Sequence, residues 1–273
     1  MKGIFDLVKI SNNIRKDIIK MLSIAGSGHP GSSLSSVELL VSLYFNYMNI
    51  YPNDIKNHNR DFFILSKGHG CPTLYSVLAN LGYFPHEELY TLRHFGSRLQ
   101  GHPAFDKKLP GIEISTGSLG YGLSIGAGIA IGIKYQNKNN KVYVLMGDGE
   151  QQEGSVWEAV MFAAQHKLNN LCAIIDNNKL QIDGMTDNIV KIEPIEKKYE
   201  VFGWKTLKIN GHNFSEINDA YSEFKIEKHK PVVIIADTIK GKGISFMENK
   251  AEWHGRKISK EEAEIAIREI NNA

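Results

Sequence analysis

A doubly wound α/β fold, with a mainly parallel sheet and helices on both faces, is what this 273-residue sequence predicts. Three observations predict it. Four short apolar runs, Phe62–Leu65, Val142–Met146, Leu171–Ile175 and Val232–Ala236, are near-continuous rather than alternating, as in strands covered on both faces. Helical stretches lie between them, which is the order of a parallel α/β sheet. A polar, glycine-rich segment follows each run, and in open α/β sheets ligands bind outside the carboxyl ends of the strands.

In chain order, Ile4, Leu7, Ile14, Ile18 and Leu22 recur at helical spacing among Lys and Arg, which predicts a surface helix with one buried face. Ser35 with Glu38, Ser155 with Glu158, and Ser259 with Glu262 each read as the capping box of a helix start. Leu119–Tyr135 is apolar, with Gly122, Gly126, Gly128 and Gly132 among its small residues. It is too short and too glycine-rich for a membrane span. Small residues at that spacing predict a tightly packed helix at a subunit interface. The charged stretch Lys191–Glu200 connects two parts of one domain, so residues 1–273 read as a single domain.

Composition narrows the function. A formal net charge of +2 and no basic run of five exclude nucleic acid as the main partner. The N-terminal stretch lacks a continuous apolar run and a small-residue cleavage site and so does not read as a signal peptide. Cys71 and Cys172 are the only cysteines, which excludes a disulfide framework and a cysteine zinc site. They read as small buried apolar groups of a reducing, cytoplasmic compartment.

The four loops carry the chemistry. SKGHG, GDGEQQEG, DNNKLQIDG and DTIKGKG follow the runs in order. Asn178 follows Asp148 by 30 residues, room for one helix and one strand, so the two stand side by side at neighbouring strand ends. A carboxylate and an amide oxygen are hard ligands suited to Mg²⁺ or Ca²⁺, and magnesium commonly bridges protein to phosphate. The adjacent glycines let backbone N–H groups approach a diphosphate. Lys240-Gly241-Lys242-Gly243 could also cradle phosphate, but it is not a P-loop because GK[ST] is absent.

GDG followed about 30 residues later by NN resembles the signature of thiamine-diphosphate enzymes. Ser27-Gly28-His29-Pro30-Gly31, Ser66-Lys67-Gly68-His69, Gly101-His102-Pro103, Gly117-Ser118-Leu119-Gly120 and Trp253-His254-Gly255 narrow the resemblance to transketolases. These motifs occur in family order over nearly the whole chain. The resemblance implies the diphosphate-binding (PP-type) domain of the thiamine-diphosphate fold. It implies thiamine diphosphate as cofactor, with Mg²⁺ as the metal and Ca²⁺ or Mn²⁺ as alternatives. Asp148, Asn178 and the carbonyl of Leu180 resemble the metal ligands. Gly149, His69, Lys240 and His254 resemble the diphosphate contacts, with Ser32, Gly117, Ser118 and Leu119 as further cofactor contacts. His29, His102 and His254 resemble the histidines that face the sugar. Glu153 resembles the glutamate that links two cofactor sites across a subunit interface. Tyr121 stands where the family's turn has glutamine, and Arg256 where the family has lysine. His58, His86, His94, His166, His212 and His229 lie in no such turn and read as structural.

A whole transketolase also has a pyrimidine-binding domain, with the glutamate that activates the cofactor, and a C-terminal domain. This sequence has no stretch for either. The resemblance therefore implies a second chain, a C-terminal transketolase subunit, in a self-associating complex with two copies of each. The implied reaction moves a two-carbon ketol unit from a ketose phosphate to an aldose phosphate. The alternatives are half of another thiamine enzyme, such as a deoxyxylulose-phosphate synthase or a 2-oxo-acid dehydrogenase, and a noncatalytic cofactor-binding module. The four histidines argue against the dehydrogenase, and the intact Glu153 against the binding module.

Overall fold

The computed structural model describes every residue except Asp183 and Ala273. Asp183, in the third of the glycine-rich loops, therefore lies outside the described residues. The main sheet has five strands, β1 (Phe62–Leu65), β2 (Val142–Gly147), β3 (Leu171–Asn177), β6 (Lys205–Asn210) and β7 (Val232–Asp237). A separate two-stranded antiparallel hairpin, β4 (Leu180–Gln181) with β5 (Gly184–Met185), follows β3. The helices are α1 (Ile4–Ala25), α2 (Pro30–Leu34), α3 (Val37–Ser42), α4 (Cys71–Asn80), α5 (Tyr121–Tyr135), α6 (Gly154–Gln165), α7 (Thr186–Ile189), α8 (Ile195–Val201), α9 (Phe214–Ile226) and α10 (Lys260–Asn272).

All pairings in the main sheet are parallel, in the order β1-β2-β3-β7-β6. This order explains which helix lies on which face. From β1 through β2 and β3 to β6 the chain moves one way across the sheet, and right-handed crossovers then place α5, α6 and α8 on one side, while α4, also between β1 and β2, packs on the other. Leu123 and Ala127 of α5, Val156 and Val160 of α6, and Ile195 and Tyr199 of α8 share one core with Val144, Ala173 and Ile235. From β6 to β7 the chain steps back, so α9 falls on the opposite face. Its Phe214, Ile217, Tyr221 and Phe224 join α1, α3, α4 and α10 in the second core. After β3 the chain leaves for α8, whereas after β7 it leaves toward α10. The crevice between the carboxyl ends of β3 and β7 is thus a switch point, where α/β sheets bind ligands.

The four predicted strands are present, three of them one or two residues longer than read. β6 is an addition. Its sequence, Lys-Thr-Leu-Lys-Ile-Asn, is two-thirds polar, and only Ile209 is buried. Part of the stretch read as a charged connection, Lys191–Glu200, forms α8, whose Ile195 and Tyr199 are buried. The N-terminal helix buries Leu7, Ile14, Ile18 and Leu22 as expected, while Ile4 is exposed.

Two capping boxes do not form. Ser35 closes α2 and gives its hydroxyl to Asp176, while Glu38 pairs with Arg15 and His212. Ser155 lies inside α6, whose N-cap is Glu153 without a capping bond. Ser259 and Glu262 do form the reciprocal pair, with bonds of 2.9 and 3.1 Å. In α5, Gly122 and Gly126 face inward, and a Cβ there would fall 2.2 Å from Ser66 and 2.5 Å from Val144. Gly128 has open space instead. No helix among the described residues is long and apolar enough to cross a membrane.

Candidate active site

Every loop after β1, β2, β3 and β7 contributes to one rim, and a buried carboxylate ties three of them together. Asp176, the penultimate residue of β3, is fully buried. It accepts bonds from Lys67 in the loop after β1, from Thr238 after β7, and from Ser35 at 2.5 Å. Lys67 also donates to the carbonyl of Ser32 at 2.8 Å, which fixes α2 on the rim. Burial pushes the Asp176 carboxyl up, but Lys67 and the hydroxyl donors outweigh it and hold it below the usual range. Glu150, at the end of the neighbouring strand β2, acts in the same way. Its carboxylate accepts from Gly120 N at 2.9 Å, from Gly147 N at 3.0 Å and from the Ser66 hydroxyl, joining the glycine turn to β1 and β2. Neither Asp176 nor Glu150 was singled out from sequence, although both lie in the motif loops.

On this base stand four histidines. The ring of His29 lies 5.3 Å from His69, 5.9 Å from His102 and 5.3 Å from His254, and His69 lies 5.2 Å from His254. Each is delivered by a different local device. His29 precedes Pro30, which starts α2 at its first helical position. His69 sits in a single 3₁₀ turn at the end of β1. His102 lies against Gly117, a Cβ on which would come within 3.3 Å of the ring. His254 closes a 3₁₀ turn anchored by Trp253, whose indole donates to Phe246 O at 3.0 Å. Gly31 is what lets α2 approach this turn, since a Cβ there would fall 2.9 Å from both Trp253 O and Lys240 Cγ.

Burial and neighbouring cations keep these rings neutral. Burial is the main cause at His29, helped by Arg93, His102 and Lys240, and brings it to about 4. Burial and then Lys240 bring His254 to about 3. His69 and His102 are lowered as well, by burial first, then by Lys67 and Arg93 respectively. Neutral imidazoles at neutral pH each offer one donor and one acceptor. His29 Nδ1 is buried with no hydrogen-bond partner in the protein.

Beside the histidines lie a buried lysine and a set of oxygen-bearing groups. Lys240, 1% exposed, reaches the Leu180 carbonyl at 3.0 Å and His254 Nδ1 at 3.1 Å. Burial lowers its ammonium to about 8. Asp148 accepts from Gly149 N at 2.7 Å and from Lys179 N. Burial, then the charge of Asp176, push its carboxyl up to about 6. Asn178 directs Oδ1 at Leu180 N, 3.1 Å away. Asp148 and Asn178 thus both bond backbone N–H groups of the one short segment Lys179–Leu180, whose Leu180 carbonyl accepts from Lys240, and all three offer hard oxygens. Among the described residues no cluster of three His, Cys, Asp or Glu side chains is set to hold a metal. A cation here therefore relies on amide and carbonyl oxygens and on oxygens brought by a ligand, which fits a metal-diphosphate better than a bare ion.

Other sequence-read residues fall around this centre. Ser32 is buried in α2, while Gly117 and Ser118 are exposed and Leu119 half-buried in the turn before α5. Gly120, at φ +88°, caps that turn, and a Cβ on it would fall 2.6 Å from Glu153 Cβ. Glu153 itself is exposed beside the turn. Tyr121 is 58% exposed, so the turn forms without a buried side chain there. Lys242 pairs with Glu248 at 3.3 Å, and Arg256 stacks on Trp253 while bonding Glu262 at 2.7 Å. Cys71 and Cys172 are buried, and burial pushes the Cys71 thiol up to about 12.

Comparison with known proteins agrees with this geometry. The family described as "Transketolase, thiamine diphosphate binding domain" matches residues 8–270. An apulose-4-phosphate transketolase subunit of Phocaeicola vulgatus is 42% identical, covering 96% of this chain and 92% of its own. The 6-deoxy-6-sulfo-D-fructose transketolase subunit SqwG of a Clostridium species is 43% identical over 97% of this chain and 96% of its own. Human transketolase is 41% identical over 95% of this chain but only 41% of its own. The crystal structure of Campylobacter jejuni transketolase superposes with a TM-score of 0.90 at 33% identity, over 99% of this chain and 43% of the other. The chain thus spans less than half of the full-length transketolases and nearly all of those named as subunits. With its five-stranded parallel sheet and strand-end rim, this chain belongs to the transketolase family, as a thiamine-diphosphate-binding domain of those transferase enzymes.

Proposed function

We propose that this chain is the diphosphate-binding subunit of a split transketolase, completed by a second chain that carries the pyrimidine-binding domain. The observation that carries the reading is the convergence of His29, His69, His102 and His254 on a crevice whose floor offers Asp148, Asn178 and Lys240. Histidines alone would suit many proton transfers. Beside a diphosphate cradle they suit reactions of a cofactor-bound sugar.

Bound thiamine diphosphate supplies the nucleophilic carbon and the electron sink that no side chain of the protein provides. The chain's own residues hold, orient and move protons. Asp148, Asn178 Oδ1 and the Leu180 carbonyl bind the divalent cation, Mg²⁺ or its substitutes Ca²⁺ and Mn²⁺. Gly149 N–H, Lys240, His69 and His254 receive the diphosphate, with Ser32 and the Gly117–Leu119 turn lining the cofactor. His29, His102 and His254 face the sugar. Being neutral, they donate to an oxygen on which charge develops and accept a proton from a hydroxyl. Glu153, exposed beside the glycine turn, faces the subunit contact. The donor is a ketose phosphate and the acceptor an aldose phosphate; the sugars named for the two subunit relatives support a donor that is an anionic ketose.

A coupled ketol-transfer assay tests the reading, run with this chain alone, with its partner chain, and with both under light scattering. Activity only in the mixture, from a complex with two copies of each chain, is expected. Full activity from this chain alone overturns the split-enzyme reading, because the activating carboxylate would then lie within these residues.

A further inference from the structure

His212 lies in none of the turns that single out the other histidines, yet both of its ring nitrogens are committed. Nε2 accepts the backbone N–H of Ile239 at 2.8 Å. An amide N–H can only donate, so Nε2 carries no proton, and the neutral ring carries its proton on Nδ1. Nδ1 lies 3.0 Å from Glu38 Oε2 and donates to it. The other oxygen of Glu38 accepts from Arg15 at 2.5 Å, and Arg15 Nε donates to the carbonyl of Lys242 at 3.1 Å. Arg15 and Glu38 are 5% and 7% exposed. Burial pushes the Glu38 carboxyl up, but Arg15 and His212 outweigh it and bring it to about 2, so the anchor of the circuit stays ionised.

The circuit joins α1, α3 and the turn before α9 to one short segment after β7. Its two attachments to that segment, Ile239 N–H and Lys242 C=O, flank Lys240 on either side. The Lys240 side chain turns away from the circuit, toward Leu180 O and His254 Nδ1. A lysine side chain is long and flexible, and the place of its ammonium depends on where its backbone is fixed. A backbone amide held by a buried, oriented acceptor is fixed more firmly than one held by water.

We infer that His212, oriented by Glu38 and Arg15, is a positioning residue that sets the backbone of Lys240 and so places its ammonium in the crevice. The inference rests on the reading of Lys240 as a diphosphate contact. Its content is specific: the acceptor at Nε2 matters to the ligand, and the donor at Nδ1 matters only to the orientation of the ring.

Two substitutions separate these roles. In His212→Asn the side-chain amide reaches only the Nδ1 position, keeping a donor for Glu38 and losing the acceptor for Ile239. In His212→Gln the amide oxygen reaches about as far as Nε2 and keeps the acceptor. The test titrates thiamine diphosphate with Mg²⁺ by calorimetry into the full chain assembled with its partner, alongside thermal unfolding of each variant. His212→Asn should weaken cofactor binding by about five- to tenfold, the scale of one buried hydrogen bond, and His212→Gln should stay within about threefold of the parent. The two should unfold at similar temperatures. Equal losses of affinity in both variants, or none in either, overturn the inference. ¹⁵N NMR of His212 in the unliganded chain supplies a check independent of the cofactor: a proton on Nδ1 is expected, and a proton on Nε2 overturns the inference even if His212→Asn fails to fold. Lys240→Ala is the control. If it leaves affinity unchanged, the reading of Lys240 fails and the inference with it. If it weakens binding while Asn and Gln behave alike, only the inference fails.

Discussion

Two neighbouring regions of the rim treat their polar groups in opposite ways. Around Asp176 every partner is supplied by the chain: Lys67, Ser35 and Thr238 saturate a carboxylate that water does not reach. In the neighbouring cluster the rings of His29, His69 and His102 make no hydrogen bond within the described chain, and His254 makes one, to Lys240. Leaving buried polar groups without partners destabilises a fold. Here the protein tolerates it at His29 Nδ1, which is buried without a partner, and the other three rings stand half-buried at the edge of the crevice. Saturated groups hold the rim, and the open groups are those left with capacity for a ligand.

The largest effect is expected from Asp176→Ala. It strands the Lys67 ammonium, which is 1% exposed, among groups that can only partly replace a carboxylate. Removing one partner of a buried ion pair costs about 3–5 kcal/mol, so urea unfolding should show a loss of that order. A loss under about 1 kcal/mol would mean the region is not the scaffold it is taken to be. Asp148→Ala should do the reverse. Its carboxyl is already pushed up to about 6 by burial and by Asp176, so the unliganded fold gains little from its charge. Stability should hold, while calorimetry at ordinary Mg²⁺ should detect no cofactor binding. Unchanged affinity would remove Asp148 from the metal site.

His102→Ala sharpens the comparison within the open group. It should keep the fold and cofactor affinity and lower kcat of the assembled enzyme by roughly 10²-fold, as for a lost donor or proton-transfer group. His69→Ala should weaken cofactor binding as well. If kcat and substrate KM both survive His102→Ala, its ring does not face the sugar.

The smallest effect expected is one of pH on the unliganded chain. His29 and His254 have folded values of about 4 and about 3, below the ordinary value near 6.5. Between these limits the unfolded chain binds more protons than the folded one, so stability falls as pH falls. The contribution of these rings is present above about pH 6.5 and is lost as pH drops through about 4 and then about 3. His29→Gln cannot take up a proton and should lose less denaturant resistance than the parent between pH 7 and pH 4.5. Parallel losses in the two proteins would show that His29 is not held neutral by its surroundings.

Much of this was legible in the residues themselves. The apolar runs marked four of the five strands because strands buried on both faces have few polar positions to hide them. The histidine, aspartate and lysine motifs marked the rim because each sits in a glycine-containing turn directly after a run or beside a helix start. Such signals are local, and local chemistry is what a sequence displays. β6 escaped because it keeps Lys205 and Lys208 along a solvated border and buries only Ile209, which dilutes its pattern, whereas β1 at the opposite edge is covered and apolar throughout. Two of three capping boxes were read from spacing alone and did not form, because Ser35 and Glu38 found tertiary partners and Ser155 fell inside its helix. Ser35 bonds Asp176 across 141 residues, and His212 bonds Glu38 across 174.

By itself, then, the sequence determined the class of fold, the order of the strand-end motifs and the kind of chemistry they can perform. Only the tertiary structure decided the placing of β7 between β3 and β6, the saturation of Asp176 and Glu150, and the partners of His212. The physical reason is range. Helix and strand periodicity and turn chemistry act over a few neighbouring residues. The partner of a buried charge is chosen among all groups that the fold brings within about 3 Å, the reach of a hydrogen bond, and no short stretch of sequence contains that choice.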